Sequence, residues 1–152
     1  MKVDTRVFGE IDIEDEKILT FEDGIIGFPD MKQFALIFNS EKEKRTEISW
    51  LQSLDEPVFA LPVMNPLVIK PDYNPIVEEE LLKTLGNLEP DNMLVLVTVT
   101  VPEEIEKISI NLKAPIVINA NERKAAQVIV DGEEVKYPIY DIIKSDQKKA
   151  GE

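Results

Sequence analysis

At 152 residues the chain is long enough for one domain with a real core, and it has neither Cys nor His. That composition excludes disulfides and thiol chemistry, and it removes the commonest general base and transition-metal ligand. The 17 Lys and Arg face 30 Asp and Glu, a formal net charge of -13 that repels phosphate backbones and attracts basic partners, so direct nucleic-acid binding is not expected.

No apolar run reaches the roughly 18 residues of a membrane span. The N-terminal MKVDTRVFGE has early acids and no apolar signal core, so a cytoplasmic location is expected. Lys2 to Phe8 alternates Val3, Thr5 and Val7 with charged residues, and Gly9 breaks the run. Glu10 to Glu14 alternates again around Ile11 and Ile13, and Lys17 to Phe21 continues as a third run. These read as half-buried antiparallel strands whose acidic face blunts edge pairing. In Phe21 to Asp30, Asp23-Gly24, Gly27 and Pro29 are turn signals. The apolar Ile25, Ile26 and Phe28 inside that turn fit either a loop folded back on the core or a contact surface.

Gln33 to Phe38 reads as a strand, and the mixed-charge Ser40 to Glu47 as a solvated loop. Ile48 to Pro66 is the organising hairpin. Its first strand places Ile48, Trp50 and Gln52 on one face and Ser49, Leu51 and Ser53 on the other. Asp55-Glu56-Pro57 supplies the turn. Val58 to Met64 returns as an apolar strand, in which Pro62 predicts an edge position or a bulge. The prolines at 66, 71 and 75 predict a rigid irregular connection around Tyr73.

Val77 to Gly86 predicts a helix with Glu78, Glu79 and Glu80 in its first turn. Val77, Leu81, Leu82 and Leu85 form its apolar stripe, and Gly86 ends it. Met93 to Val101 reads as the central strand. Lys107 to Leu112, with Ile108, Ile110 and Leu112 inward, resumes at Ile116 to Ile118 after Ala114-Pro115, as where a sheet turns a barrel corner. Gln127 to Val130 and Val135 to Ile139 read as a hairpin across Asp131-Gly132. About nine short strands and one helix predict a mostly β fold, a small barrel-like domain of antiparallel or mixed sheet with one short helix.

Catalytic chemistry is missing. Ser40, Ser49 and Ser53 have no His to activate them. No phosphate-binding glycine motif precedes a helix. The acid clusters at Glu10–Glu16, Glu78–Glu80 and Asp131–Glu134 are accounted for by strand alternation and helix-dipole effects. A carboxylate enzyme would need a pocket with two converging acids. No cofactor and no metal is expected.

Three stretches in order, FEDGIIGF (21–28), WLQSLDEP (50–57) and NLKAPIVIN (111–119) with Gln127-Val128-Ile129, resemble the FliW family of flagellar assembly factors. The resemblance runs from about Val3 to Tyr140, with a glycine expected in the loop before Gln127 where this chain has Lys124-Ala125-Ala126. The polar Lys144 to Glu152 reads as a loose tail and a monomer is favoured; the resemblance places a single FliW-like domain over 1–143. It further implies a binding protein, not an enzyme, that binds the translational regulator CsrA, keeps it off its messenger RNA, and takes flagellin as the alternative partner. The other reading is an acidic binding module, or a decoy that mimics nucleic acid, for another basic partner. Candidate contact residues are Gln52, Ser53, Asn65, Pro66, Tyr73, Asn111 and Asn119. For Asn111 and Asn119 the structural alternative is satisfaction of backbone groups at a bulge.

Overall fold

The computed structural model describes residues 2–37 and 48–144. The predicted solvated loop at 40–47, the last residue of the predicted strand at Phe38 and the tail beyond Lys144 lie outside these residues. The N-terminal pair β1 (Lys2–Thr5) and β2 (Gly9–Asp12) forms a separate antiparallel hairpin. The first strand ends at Thr5 rather than Phe8, because the Thr5 hydroxyl accepts from Phe8 N and starts the turn. Next come β3 (Ile18–Phe21), β4 (Gln33–Ile37), β5 (Ser49–Ser53) and β6 (Ala60–Met64), joined as an antiparallel meander.

The helix predicted over 77–86 is shorter than its apolar stripe suggests: α1 spans Glu79–Leu82 and tightens to a 3-10 turn over Lys83–Leu85. Gly86 ends it with φ 74°. A four-residue helix lies far below the ~12–15 residues that hold up alone, so packing of Leu82 and Leu85 against the sheet holds it. The long strand β7 (Met93–Thr100) follows, then β8 (Ser109–Ile110), β9 (Ile116–Asn119), β10 (Lys124–Gln127) and β11 (Tyr137–Pro138). Residues 140–144 are helical as well.

Seven strands close into a barrel in the order β7-β6-β5-β4-β3-β10-β9, with β9 returning to β7. One pairing, β10 with β3, is parallel. Closure removes sheet edges, which a set of strands this short cannot protect by length. Each of the seven strands sends an apolar side chain inward: Phe21, Phe34, Leu51, Val63, Leu96, Ile118 and Ala125 are all buried in one cluster. The Phe21 and Phe34 rings meet edge-on at 5.1 Å.

The prediction of Met93 to Val101 as the central strand holds. β7 is laddered to β9 through Met93 to Leu96, to β6 through Val97 and Thr98, and to β8 through Val99 and Thr100. The predicted barrel corner also holds. β8 and β9 are two parts of one course beside β7, broken at residues 111–115. Outside the barrel a second cluster, with Met64, Tyr73, Val97, Ile110 and Leu112, packs against the far face of β6 and β7.

Three expectations differ. Pro62 lies inside β6, opposite Trp50, and not on an edge strand. It is tolerated because the β7 ladder begins at Val63, so one side of β6 is unladdered at Pro62. The strand predicted over Gln127 to Val130 lies three residues earlier. Lys124 to Gln127 pairs with β9, so Lys124-Ala125-Ala126, where the resemblance suggests a loop with a glycine, are strand, and the positive φ of 58° falls on Arg123 just before them. Val135 to Ile139 does not return along that strand; Tyr137 and Pro138 pair with β8.

Candidate functional site

Alternating hairpins place the β3–β4 and β5–β6 turns at one end of the barrel. The β9–β10 turn and the segment after β6 lie at the other end. The candidate residues divide between these places.

Gln52 and Ser53 sit at the β5–β6 turn. Gln52 is 1% exposed; its Oε1 accepts from Arg6 N at 2.9 Å and its Nε2 points at the carbonyls of Ser53, Pro57 and Phe59. The Ser53 hydroxyl accepts from Asp55 N and Glu56 N, which folds the turn. A strand with polar residues buried on both faces must satisfy them, and here loop backbone does so.

Asn119 and Asn111 are also tied into backbone. Asn119, fully buried, donates to Leu85 O at 2.7 Å and accepts from Asn121 N and Glu122 N. It joins the end of α1 to the β9–β10 turn. Asn111 Oδ1 accepts from Lys113 N and Ala114 N at the barrel corner. For both residues the structural alternative raised from the sequence describes what the side chains do.

Pro66 and Tyr73 come together at a groove, and Asn65 immediately precedes Pro66. Asn65 is exposed and caps the 3-10 turn over Pro66–Val68 by accepting from Leu67 N. Pro66 and Tyr73 line an apolar groove of about 270 Å³ with Leu67, Pro75, Val77, Leu82, Met93, Val95, Pro115 and Val117. Leu94 and Leu96 point into the barrel, so Met93 and Val95 put the groove on its outer wall. Tyr73 is 6% exposed and donates its hydroxyl to Leu112 O at 2.6 Å. Burial, and secondarily the carboxylate of Glu133, pushes this hydroxyl up to about 12. Glu133 itself pairs with Lys70 at 3.2 Å, which raises the Lys70 amine.

The groove contains no carboxylate among its lining residues, so no acid–base pair converges there. A second cavity, of about 380 Å³, sets Asp15, Glu22 and Glu122 against Arg123 and Lys124. Among the described residues no three His, Cys, Asp or Glu gather to hold a metal ion, and no helix is long and apolar enough to cross a membrane. At about 270 Å³ the groove lies at the lower edge of the ~300–1,000 Å³ usual for small-molecule pockets.

Sequence reasoning missed the groove itself. Its lining comes from the 66–77 segment, α1, β7 and the barrel corner, which no local pattern connects. Fold and site together define a small closed-barrel protein with an apolar groove on its outer wall. Comparison with known proteins carries this further. The family model described as FliW protein matches residues 2–140. Flagellar assembly factor FliW of Lachnospira eligens is 49% identical over 150 residues, covering 97% of this chain and 99% of that protein. The protein of the same name from Thermotoga neapolitana is 40% identical over 93% of each chain. A crystal structure of the flagellar assembly factor FliW superposes with a TM-score of 0.82 at 29% identity, covering 91% of this chain and 96% of that one. The chain belongs to the FliW family of flagellar assembly factors.

Proposed function

We propose that this chain is a cytoplasmic, non-enzymatic binding protein that sequesters the RNA-binding regulator CsrA and exchanges it for flagellin. Flagellin level then sets how much CsrA is free to repress. The observation that carries this reading is charge. A net charge of -13 on 152 residues is suited to holding a protein that must be basic where it grips RNA, and to repelling that RNA.

Of the candidate residues, Pro66 and Tyr73 line the groove and Asn65 adjoins Pro66; these three are the proposed direct contacts. Gln52, Ser53, Asn111 and Asn119 act through the loops they hold. The test is calorimetric titration with CsrA and with flagellin from the same organism, each alone and then with the other present. Mutual displacement is expected. CsrA affinity is expected to fall as salt rises, because the ~8–10 Å Debye length at physiological salt shortens further. Binding to neither protein refutes the reading, and a salt-independent CsrA affinity refutes its electrostatic part.

A further inference from the structure

The barrel end that carries the β3–β4 and β5–β6 turns presents apolar side chains to solvent. Val58 is 70% exposed, Ile26 49% and Phe28 45%. The tip of the β1–β2 hairpin adds exposed Val7 and Phe8. Local sequence does not explain this exposure, since the neighbouring Ile25 and Phe59 do turn inward.

These turns are held rigidly. The Phe28 ring lies 4.8 Å from the Phe59 ring, which in turn faces Phe34 of the core. Asp55 Oδ2 accepts from Lys32 N and Gln33 N, tying one turn to the other. Gln127 Oε1 accepts from Ile26 N. Gln52 accepts from Arg6 N and donates to Pro57 O, joining the hairpin tip to the β5–β6 turn. An apolar surface kept in one shape by such side-chain bonds loses little entropy when a partner covers it.

Its rim is acidic. Glu22, Asp23, Asp30, Asp55 and Glu56 are all exposed around it, against Lys32 and Arg6. Two copies of this chain would bring those carboxylates together, and an anionic surface would be repelled in the same way. We propose that this end of the barrel is the docking face for a basic protein that presents aliphatic side chains flanked by Lys or Arg. Given the function proposed above, on which this rests, that partner is the RNA-binding regulator.

The probe is CsrA, titrated calorimetrically against wild type, Val58→Lys, Ile26→Lys and Val135→Lys. All three substitutions fall on exposed positions and change net charge equally. Val135 lies outside both the groove lining and the two turns, and reports the general effect of one added charge. Val58→Lys and Ile26→Lys are expected to weaken CsrA binding at least tenfold, and Val135→Lys less than threefold. Thermal unfolding of each variant checks that the barrel is intact. As a second route, Glu22→Gln with Glu56→Gln is expected to slow association and flatten its salt dependence. If wild type binds CsrA and the turn variants bind as Val135→Lys does, this docking face is refuted while the function above stands. A loss confined to flagellin binding refutes the assignment to the basic partner. If wild type does not bind CsrA, both fall together.

Discussion

Replacing Tyr73 by Phe deletes one hydroxyl and leaves the ring in the wall of the groove. The hydroxyl donates to Leu112 O at 2.6 Å, and Leu112 is fully buried. Losing that donor leaves a carbonyl in the core without its tyrosine partner, a cost of about 1–3 kcal/mol. For a domain of this length each kcal/mol moves the unfolding midpoint by roughly 2–4 °C, so a fall of several degrees is expected at pH 8. The pH dependence adds an independent check. The Tyr73 hydroxyl is raised from 10.0 to about 12 in the folded protein. Between those values the unfolded chain has released the proton and the folded one has kept it, so the unfolded state binds fewer protons. Stability from this group is therefore whole below pH 10 and is lost as pH rises toward 12. Phe has no such proton, so the gap between wild type and Tyr73→Phe narrows over that window. Thermal unfolding of both proteins from pH 8 to pH 12 measures it. Equal midpoints at pH 8, or a gap that widens with pH, would refute the reasoning. The groove keeps its ring in this variant, whereas Tyr73→Ala empties a core site at a cost of about 3–5 kcal/mol.

Asn119→Ala removes donors to Leu85 O and Asn87 O and the acceptor for Asn121 N and Glu122 N, all at a fully buried position. A loss of about 2–4 kcal/mol is expected in urea unfolding, and a change below 1 kcal/mol would show that these bonds are replaced by water. Gly86→Ala is expected to cost at least about 1–3 kcal/mol. Gly86 has φ 74° and ψ -145°, a region open essentially to glycine, and an added Cβ would collide with the Glu122 carboxylate. That carboxylate accepts from Asn87 N, so pairing Gly86→Ala with Glu122→Ala is expected to be non-additive; strict additivity would show the two are uncoupled.

Much of the fold was legible because its signals are local. The alternation in Ile108, Ile110 and Leu112, and the apolar runs of β7 and β9, each report a buried face directly. Pro115 announced the barrel corner because it must interrupt a ladder. The errors have local causes too. Pairing of β10 to β9 overrode the apparent strand at Gln127 to Val130, whose Val128 and Val130 amides bond instead to Pro115 O and Lys113 O across the corner. The return strand at Tyr137 went to β8 because β10 already had β3 and β9 as neighbours.

The candidate site was less legible. Gln52 and Asn119 look in the sequence like polar residues ready for a partner, yet both spend their amides on loop backbone. Burial decides that, and burial of a polar side chain leaves no periodic trace. Composition and hydrophobic patterning alone determined a His-free, Cys-free, acidic, mostly β chain with no phosphate-binding or catalytic motif, and the family resemblance followed from motif order. Only the tertiary structure decided that seven short strands close on each other, because closure depends on the β3–β10 pairing, which joins Thr20 to Lys124 and Phe21 to Ala125. It likewise decided that Ile26, Phe28 and Val58 stay in water while Ile25 and Phe59 turn toward the core. Side chains adjacent in the chain divided between solvent and core according to which way each turn was pinned by groups that folding brought from elsewhere.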